Sequence, residues 1–359
     1  MINAIRGWAW QIACFLWVAA PILGFWTKTH PWSYQFGTWI LASILVLALA
    51  PLAEVKYKSK FPALLLLAFF IVLFSHLSNF GLGFTWVLRC AVILPAAAAI
   101  SERVSFKRLV HMLNICAILQ IPIILLQLSG MKVPWDSAGG GLTGSLYKRP
   151  ALSILAGALA IWNGGIFSYL FAALAFASTS MAGALPVLGK LLNKYMPISL
   201  VALLAIAFVV LVLLWIPSVS TRLDTRLSSW KGIAFIKDGW LTGWGFFPLP
   251  GAFGESTDND RAVQSAMMSD YHSTYLDWIG RFGLIGILAI APVVARIARL
   301  TFRQLTNQKL WAFLLACFAC LVQSAEAFAV MCLLGLVWMK QLDEEESIRV
   351  DSLQKLATN

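Results

Sequence analysis

Basic, acidic and imidazole groups gather in one long stretch of this chain, Ile216 to Gly286, in a protein that is otherwise almost entirely apolar. The stretch carries Arg222 and Arg226, then Gly243-Trp244-Gly245, then Asp258, Asp260 and Arg261. It continues through Asp270-Tyr271-His272-Ser273 and ends in Gly280-Arg281-Phe282-Gly283. His272 is the only one of the four histidines inside it. A neutral imidazole can take a proton from a hydroxyl near neutral pH; the plainer alternative is a solvated loop histidine. Leu223, Leu227, Trp230 and Ala234 recur at helical spacing behind a Thr221-x-x-Asp224 capping box, which predicts an amphipathic helix lying on a membrane surface. Arg226 falls at the edge of that apolar stripe, where its guanidinium would stand at headgroup level, the height of a lipid-linked phosphate. A snorkelling arginine is the competing reading.

The elements that must position these groups follow from composition. Of 359 residues, 60% are hydrophobic and only 12% charged, with a mean hydropathy of +0.80. That leaves too little polar surface to coat a water-soluble globule. With about 20 apolar residues per spanning helix, the sequence predicts an all-α polytopic membrane protein of about twelve transmembrane helices with one long external segment. The expected layout is a membrane domain of nine spans over 1–216, a catalytic segment over 217–272, three last spans over 273–340, and a polar, acidic-rich tail over 341–359. The first span, from Gly7, has no small-residue cleavage site after it and reads as uncleaved. Three apolar pieces, 151–162, 166–177 and 181–192, are short for spans. They are separated by Asn163-Gly164-Gly165 and Ser178-Thr179-Ser180. A glycine-rich loop, Ser137 to Gly144, precedes Tyr147-Lys148-Arg149-Pro150.

If the spans alternate, five basic groups fall on one side: Arg6; Lys56, Lys58 and Lys60; Arg103, Lys107 and Arg108; Lys190 and Lys194; and Arg296, Arg299, Arg303 and Lys309. That side is expected to be cytoplasmic. Both termini then lie there, and the long segment and the Lys148-Arg149 loop face the periplasm or exterior. The net charge of +11 is explained by this topology; without a Lys/Arg-rich run, nothing predicts a nucleic-acid partner.

Other chemistry-bearing features have plainer readings. All six cysteines fall in apolar runs, so Cys317-x-x-Cys320 reads as helix packing rather than a redox or metal pair. Asp258-Asn259-Asp260 imitates an Asp-x-Asp metal motif but sits among turn residues and reads as a solvated turn. Arg89 and Glu326 are costly in lipid and must face a cavity or a partner. They are either a structural ion pair, or a wall of a lipid-carrier groove (Arg89) and a support for the histidine or arginines (Glu326).

The order Arg226-Leu227-Ser228-Ser229-Trp230, Gly243-Trp244-Gly245, Tyr271-His272-Ser273-Thr274-Tyr275-Leu276 and Gly280-Arg281-Phe282-Gly283-Leu284-Ile285-Gly286 resembles the O-antigen ligase and polymerase family of membrane glycosyltransferases. Arg149, after the glycine loop, resembles that family's earlier periplasmic arginine. The likeness covers roughly 139–286. Ser273 follows the histidine where many members have Asn, and Ser180-Met181 stands where many carry Ser-Arg.

The resemblance implies a class C glycosyltransferase fold in the bacterial inner membrane. It further implies metal-independent transfer of a glycan from undecaprenyl diphosphate to an acceptor hydroxyl at the periplasmic face, with no cofactor. His272 would remove the acceptor proton. Arg149 and Arg226, backed by Arg222, Arg261 and Arg281, would stabilise the diphosphate leaving group through bidentate charge-assisted bonds. The His-bearing segment and single arginine helix match the ligase, whose acceptor is lipid A-core, better than the polymerase, whose acceptor is a second lipid-linked glycan. A lipid or sugar transporter would instead predict two halves of related hydropathy and a charged midplane site, which the sequence does not show.

Overall fold

The computed structural model describes residues 2–23, 31–55, 61–76, 80–131, 142–146, 149–178, 180–197, 200, 237–245, 273–303, 305–322 and 328–358. The described residues are helical and contain no strand. In chain order the helices are α1 (Ile2–Ala19), α2 (Pro31–Leu49), α3 (Phe61–Ser75), α4 (Phe80–Arg103), α5 (Phe106–Ile118) and α6 (Gln120–Leu128). They continue as α7 (Arg149–Trp162), α8 (Gly165–Ala177), α9 (Met181–Leu192), α10 (Thr274–Arg303), α11 (Asn307–Val322) and α12 (Phe328–Thr358). Helices α5 and α6 meet at Leu119. The run Phe106–Leu128 and helix α10 are each long and apolar enough to cross a membrane.

Helix α7 is the axis of the bundle. Every residue from Ala151 to Ile161 is buried, and α5, α8, α9, α11 and α12 all touch it. A helix apolar on every face belongs in such a place. The α7–α9 contact is close because Gly183 approaches α7 backbone to backbone: a Cβ there would stand 1.8 Å from the Ser153 carbonyl oxygen. The Ser153 hydroxyl donates to the Ser180 carbonyl at 2.8 Å, and the Ser180 side chain accepts from Ala182 N–H as the N-cap of α9. Large apolar side chains point outward from the bundle, among them Trp8, Ile12, Leu67 and Phe74.

The two ends of the bundle differ in chemistry. At one end the Arg103 guanidinium donates to the Glu54 carbonyl, Phe106 meets Trp162 edge to face at 5.9 Å, and Gln308 donates to the Trp162 carbonyl at 3.3 Å. The acidic run of α12 gathers the cations there: Arg296 to Asp343 and Arg303 to Glu346, both at 2.8 Å, and buried Lys309 to Glu345 at 2.5 Å. Glu344 Oε1 accepts the Phe106 N–H at 3.0 Å and caps α5. The polar tail is therefore a continuation of α12 as far as Thr358, clamped to three neighbouring helices. Of the five basic groups in the sequence, Arg103, Lys190, Arg296, Arg303 and Lys309 belong to this end; Lys56, Lys58 and Lys60 lie outside the described residues.

Candidate active site at the opposite end of the bundle

Helix α10 starts at the opposite end and does not run straight. Gly283 has φ 54 and ψ −148, a conformation that breaks the helix and that only glycine adopts without strain. A break frees backbone groups that must find partners elsewhere. The segment 237–245 supplies them. In an unbroken helix the N–H groups of Leu284 and Ile285 would donate to the carbonyls of Gly280 and Arg281. Instead Leu284 N–H donates to the Trp240 carbonyl at 2.9 Å and Ile285 N–H to that of Leu241 at 3.1 Å. The two vacated carbonyls accept from Trp244 N–H at 2.7 Å and Gly245 N–H at 2.8 Å. Two helical bonds are exchanged for four bonds to an inserted loop, and the two glycine motifs singled out in the sequence become one clasp.

Glycine is required on both sides of this clasp. A Cβ on Gly243, at φ 66, would lie 2.3 Å from the Arg281 carbonyl carbon, and one on Gly245, at φ 64, 2.6 Å from the ring of His76. His76 directly follows α3, and its Nε2 approaches Thr242 Oγ1 to 3.5 Å. Behind the break, Phe282 is buried against Phe69 of α3 at 5.1 Å and Trp278 at 4.7 Å, in a small apolar cluster that also takes in Val87 of α4. About 20 residues separate Gly283 from Arg303, a rise of about 30 Å. That matches the thickness of a bilayer's hydrocarbon core. The clasp thus stands about one membrane thickness from the basic end, and half-buried Arg281 stands with it.

Arg149 opens α7 at the same end and is also half-buried. The loop before it is held by two glutamines of α6 that the sequence reading passed over. Buried Gln120 accepts the Ser145 N–H through Oε1 at 2.6 Å, and Gln127 Oε1 accepts the N–H groups of Thr143 and Gly144, both at 3.1 Å. The Ser145 hydroxyl donates to the Ile22 carbonyl at 2.6 Å, tying the exit of α1 to the same loop. Gly144, at φ 57, leaves room for Gln120, whose Oε1 a Cβ would meet at 2.5 Å. Two amides seven residues apart in an apolar run were the available signal, since such side chains inside a bundle bond something specific.

At the start of α10, Ser273 and Asp277 are buried, and Ser273 carbonyl accepts the Asp277 N–H at 2.8 Å. A carboxylate in the first helical turn complements the helix dipole. Arg89 lies half-buried in α4, two residues from Val87 of the cluster that backs the clasp. Cys317 and Cys320 are free thiols on α11, and no group of His, Cys, Asp and Glu suited to a metal occurs among the described residues.

Of the candidate site residues, Arg149 and Arg281 stand at the clasp end of the bundle, and Arg89 lies half-buried along α4. His272, Arg222, Arg226, Arg261 and Glu326 lie outside the described residues, as do Asp258, Asp260 and the amphipathic helix expected behind the Thr221-x-x-Asp224 capping box. No protein-family model matches the chain, and a comparison with curated proteins gives no match either.

Proposed function

We propose that the chain is a bacterial inner-membrane glycosyltransferase, an O-antigen ligase that moves a glycan from undecaprenyl diphosphate to lipid A-core. The observation that supports this reading best is the clasp between Gly243–Gly245 and Gly280–Gly283. It unites two motifs on which the family resemblance rests, and it does so at the end of the bundle that also carries Arg149. With about twelve spans in a class C arrangement, the basic end faces the cytoplasm by the positive-inside rule; both termini lie there, and the clasp end faces the periplasm.

The chemistry follows from what a diphosphate leaving group needs. As the bond from the anomeric carbon to the phosphate oxygen breaks, negative charge builds on the diphosphate, and fixed guanidiniums near a low-dielectric surface stabilise it more than they stabilise the ground state. Arg149 and Arg226 are assigned this role, with Arg222, Arg261 and Arg281 around them. His272 takes the proton of the acceptor hydroxyl as its oxygen attacks the anomeric carbon. No cofactor or metal is needed to balance this step. Arg89 lines the path of the lipid carrier, and Glu326 supports the histidine or the arginines.

Deletion of the gene tests the assignment. A ligase defect leaves lipid A-core without O-antigen while long lipid-linked polymer accumulates; single-repeat caps on the core would instead identify a polymerase. Transfer that requires an ion gradient or a nucleotide would count against both.

A further inference from the structure

The loop of the clasp is held from two sides. Gly243 turns toward α10, where a Cβ would meet the Arg281 carbonyl oxygen at 2.4 Å and the Phe282 nitrogen at 2.5 Å. Gly245, two residues on, turns toward His76, where a Cβ would stand 2.6 Å from Cδ2 and 3.0 Å from Cγ of the imidazole. Between them Thr242 Oγ1 faces His76 Nε2 at 3.5 Å, the long end of hydrogen-bond reach. The loop is therefore sandwiched between the broken helix and one imidazole. Gly245 meets the ring and also donates its N–H to the Arg281 carbonyl at 2.8 Å. A single residue thus separates His76 from the bond that fixes the Arg281 backbone.

His76 is itself anchored. Its N–H donates to the Leu73 carbonyl at 3.2 Å. Phe69, Leu73 and His76 follow one another at intervals of four and three residues, which places them on one face of α3 and its exit. On that face Phe69 packs against Trp278 at 5.9 Å and Phe282 at 5.1 Å, and Val72 and Leu73 are buried in the same cluster. Helix α3 therefore grips α10 behind the break and backs the inserted loop in front of it. Imidazole suits the second task. Its flat ring lies against a glycine, and Nε2 can donate to the Thr242 hydroxyl or accept from it, according to tautomer.

We infer that His76 is a positioning residue for the transfer reaction, holding the clasp loop so that Arg281 is presented to the diphosphate leaving group. The consequence for activity rests on the glycosyltransferase reading; the mechanical link from α3 through the loop to α10 does not.

The test uses purified full-length His76→Ala, His76→Leu and His76→Gln. Gln carries an N–H₂ group near the place of Nε2, whereas Leu fills space without a polar atom. Transfer from undecaprenyl diphosphate-linked glycan should fall about 10- to 100-fold in kcat in the Ala and Leu variants, with the donor KM within about twofold of wild type, since the lost contact serves charge that builds in the transition state. His76→Gln should recover at least about a third of the wild-type kcat. In the Arg281→Ala background, His76→Ala should slow transfer by no more than about twofold further, because it acts through that arginine. Wild-type kcat in folded His76→Ala, a Gln variant as slow as Leu, or full additivity with Arg281→Ala overturns the role. Amide exchange at Trp244 and Gly245 gives a readout without turnover and should accelerate at least about tenfold in His76→Ala and recover in His76→Gln. Unchanged exchange overturns the inference even where transfer is observed; accelerated exchange in a protein whose wild type forms no product overturns the glycosyltransferase reading and leaves the link from α3 to the clasp standing.

Discussion

A Cβ built on Gly283 would stand 2.6 Å from the backbone nitrogen of Gly243, forty residues earlier in the chain. The two backbones touch because the loop around Gly243 is inserted into a broken helix and takes over its hydrogen bonds. Replacing either glycine by alanine would set a positive φ and a steric overlap against the clasp. Gly283→Ala or Gly243→Ala should destabilise the protein by about 1–3 kcal/mol from backbone strain alone, with the overlap adding to it. Hydrogen exchange at Leu284 and Ile285 should accelerate in both. The double variant should cost less than the sum, because both substitutions open the same contact. Wild-type exchange at those amides in either single variant would show that the inserted loop does not hold them.

Arg149 depends on a loop whose partners are amides. Gln120→Ala leaves the buried Ser145 N–H without its acceptor, which should cost about 1–3 kcal/mol. Gln127→Ala releases two N–H groups of the same loop and should cost a similar amount. Under the proposed function both variants lose transfer activity beyond their loss of folded protein, because the start of α7 is no longer fixed. Thermal melts and activity per folded molecule, measured on the same samples, separate the two effects.

The acidic run of α12 gives a pH-dependent contact. Burial raises the Asp343 carboxyl above its ordinary range, and Arg296, 2.8 Å away, opposes the rise without cancelling it. A raised carboxyl pKa in the folded state means that folding favours the protonated form. The stability linked to this group is therefore fully present below the ordinary carboxylate pKa of about 4 and declines as pH rises through the folded value. Asp343→Asn should flatten that decline, so the variant gains stability relative to wild type as pH goes from about 4 to 7. Melting curves of the two proteins across that interval give the comparison; a difference that stays constant or shrinks would refute it.

Several parts of this architecture were legible residue by residue. Helical character followed from apolar runs, and the breaks at Asn163-Gly164-Gly165 and Ser178-Thr179-Ser180 were marked by turn residues; α7, α8 and α9 end and begin there. Gly243 and Gly283 could be singled out as unusual, but not as partners. Their contact exchanges i to i−4 bonds for bonds to a distant loop, and no local spacing encodes that. Asp343 to Glu346 read only as part of a polar, acidic-rich tail because their partners, Arg296, Arg303, Lys309 and the Phe106 N–H, come from three other segments. Short α7 was hard to place as a span, and its burial along Ala151–Ile161 supplies the reason: a helix enclosed by other helices need not match the bilayer. The expected roles of His272, Arg222, Arg226, Arg261 and Glu326 fall on residues outside those described and rest on the sequence.

Arg281 follows Gly280 in the clasp, so its backbone is fixed by the Gly245 N–H bond at 2.8 Å. Arg281→Ala and Arg149→Lys should each reduce transfer by about 10²–10³-fold, the scale for removing one preorganised charge-stabilising group. For Arg149→Lys the charge is kept and the planar fork is lost. Both proteins should insert and fold normally, judged by detergent-solubilised yield and Tm.

The most direct test is glycan transfer by the purified protein in proteoliposomes containing undecaprenyl diphosphate-linked O-antigen and lipid A-core, without nucleotide, ion gradient or added metal. Wild type should form the O-antigen-bearing product, and folded His272→Ala should form it at least about 100-fold more slowly. Absence of product with wild type, or His272→Ala turning over at the wild-type rate, would contradict the proposed transfer and the place of this histidine in it.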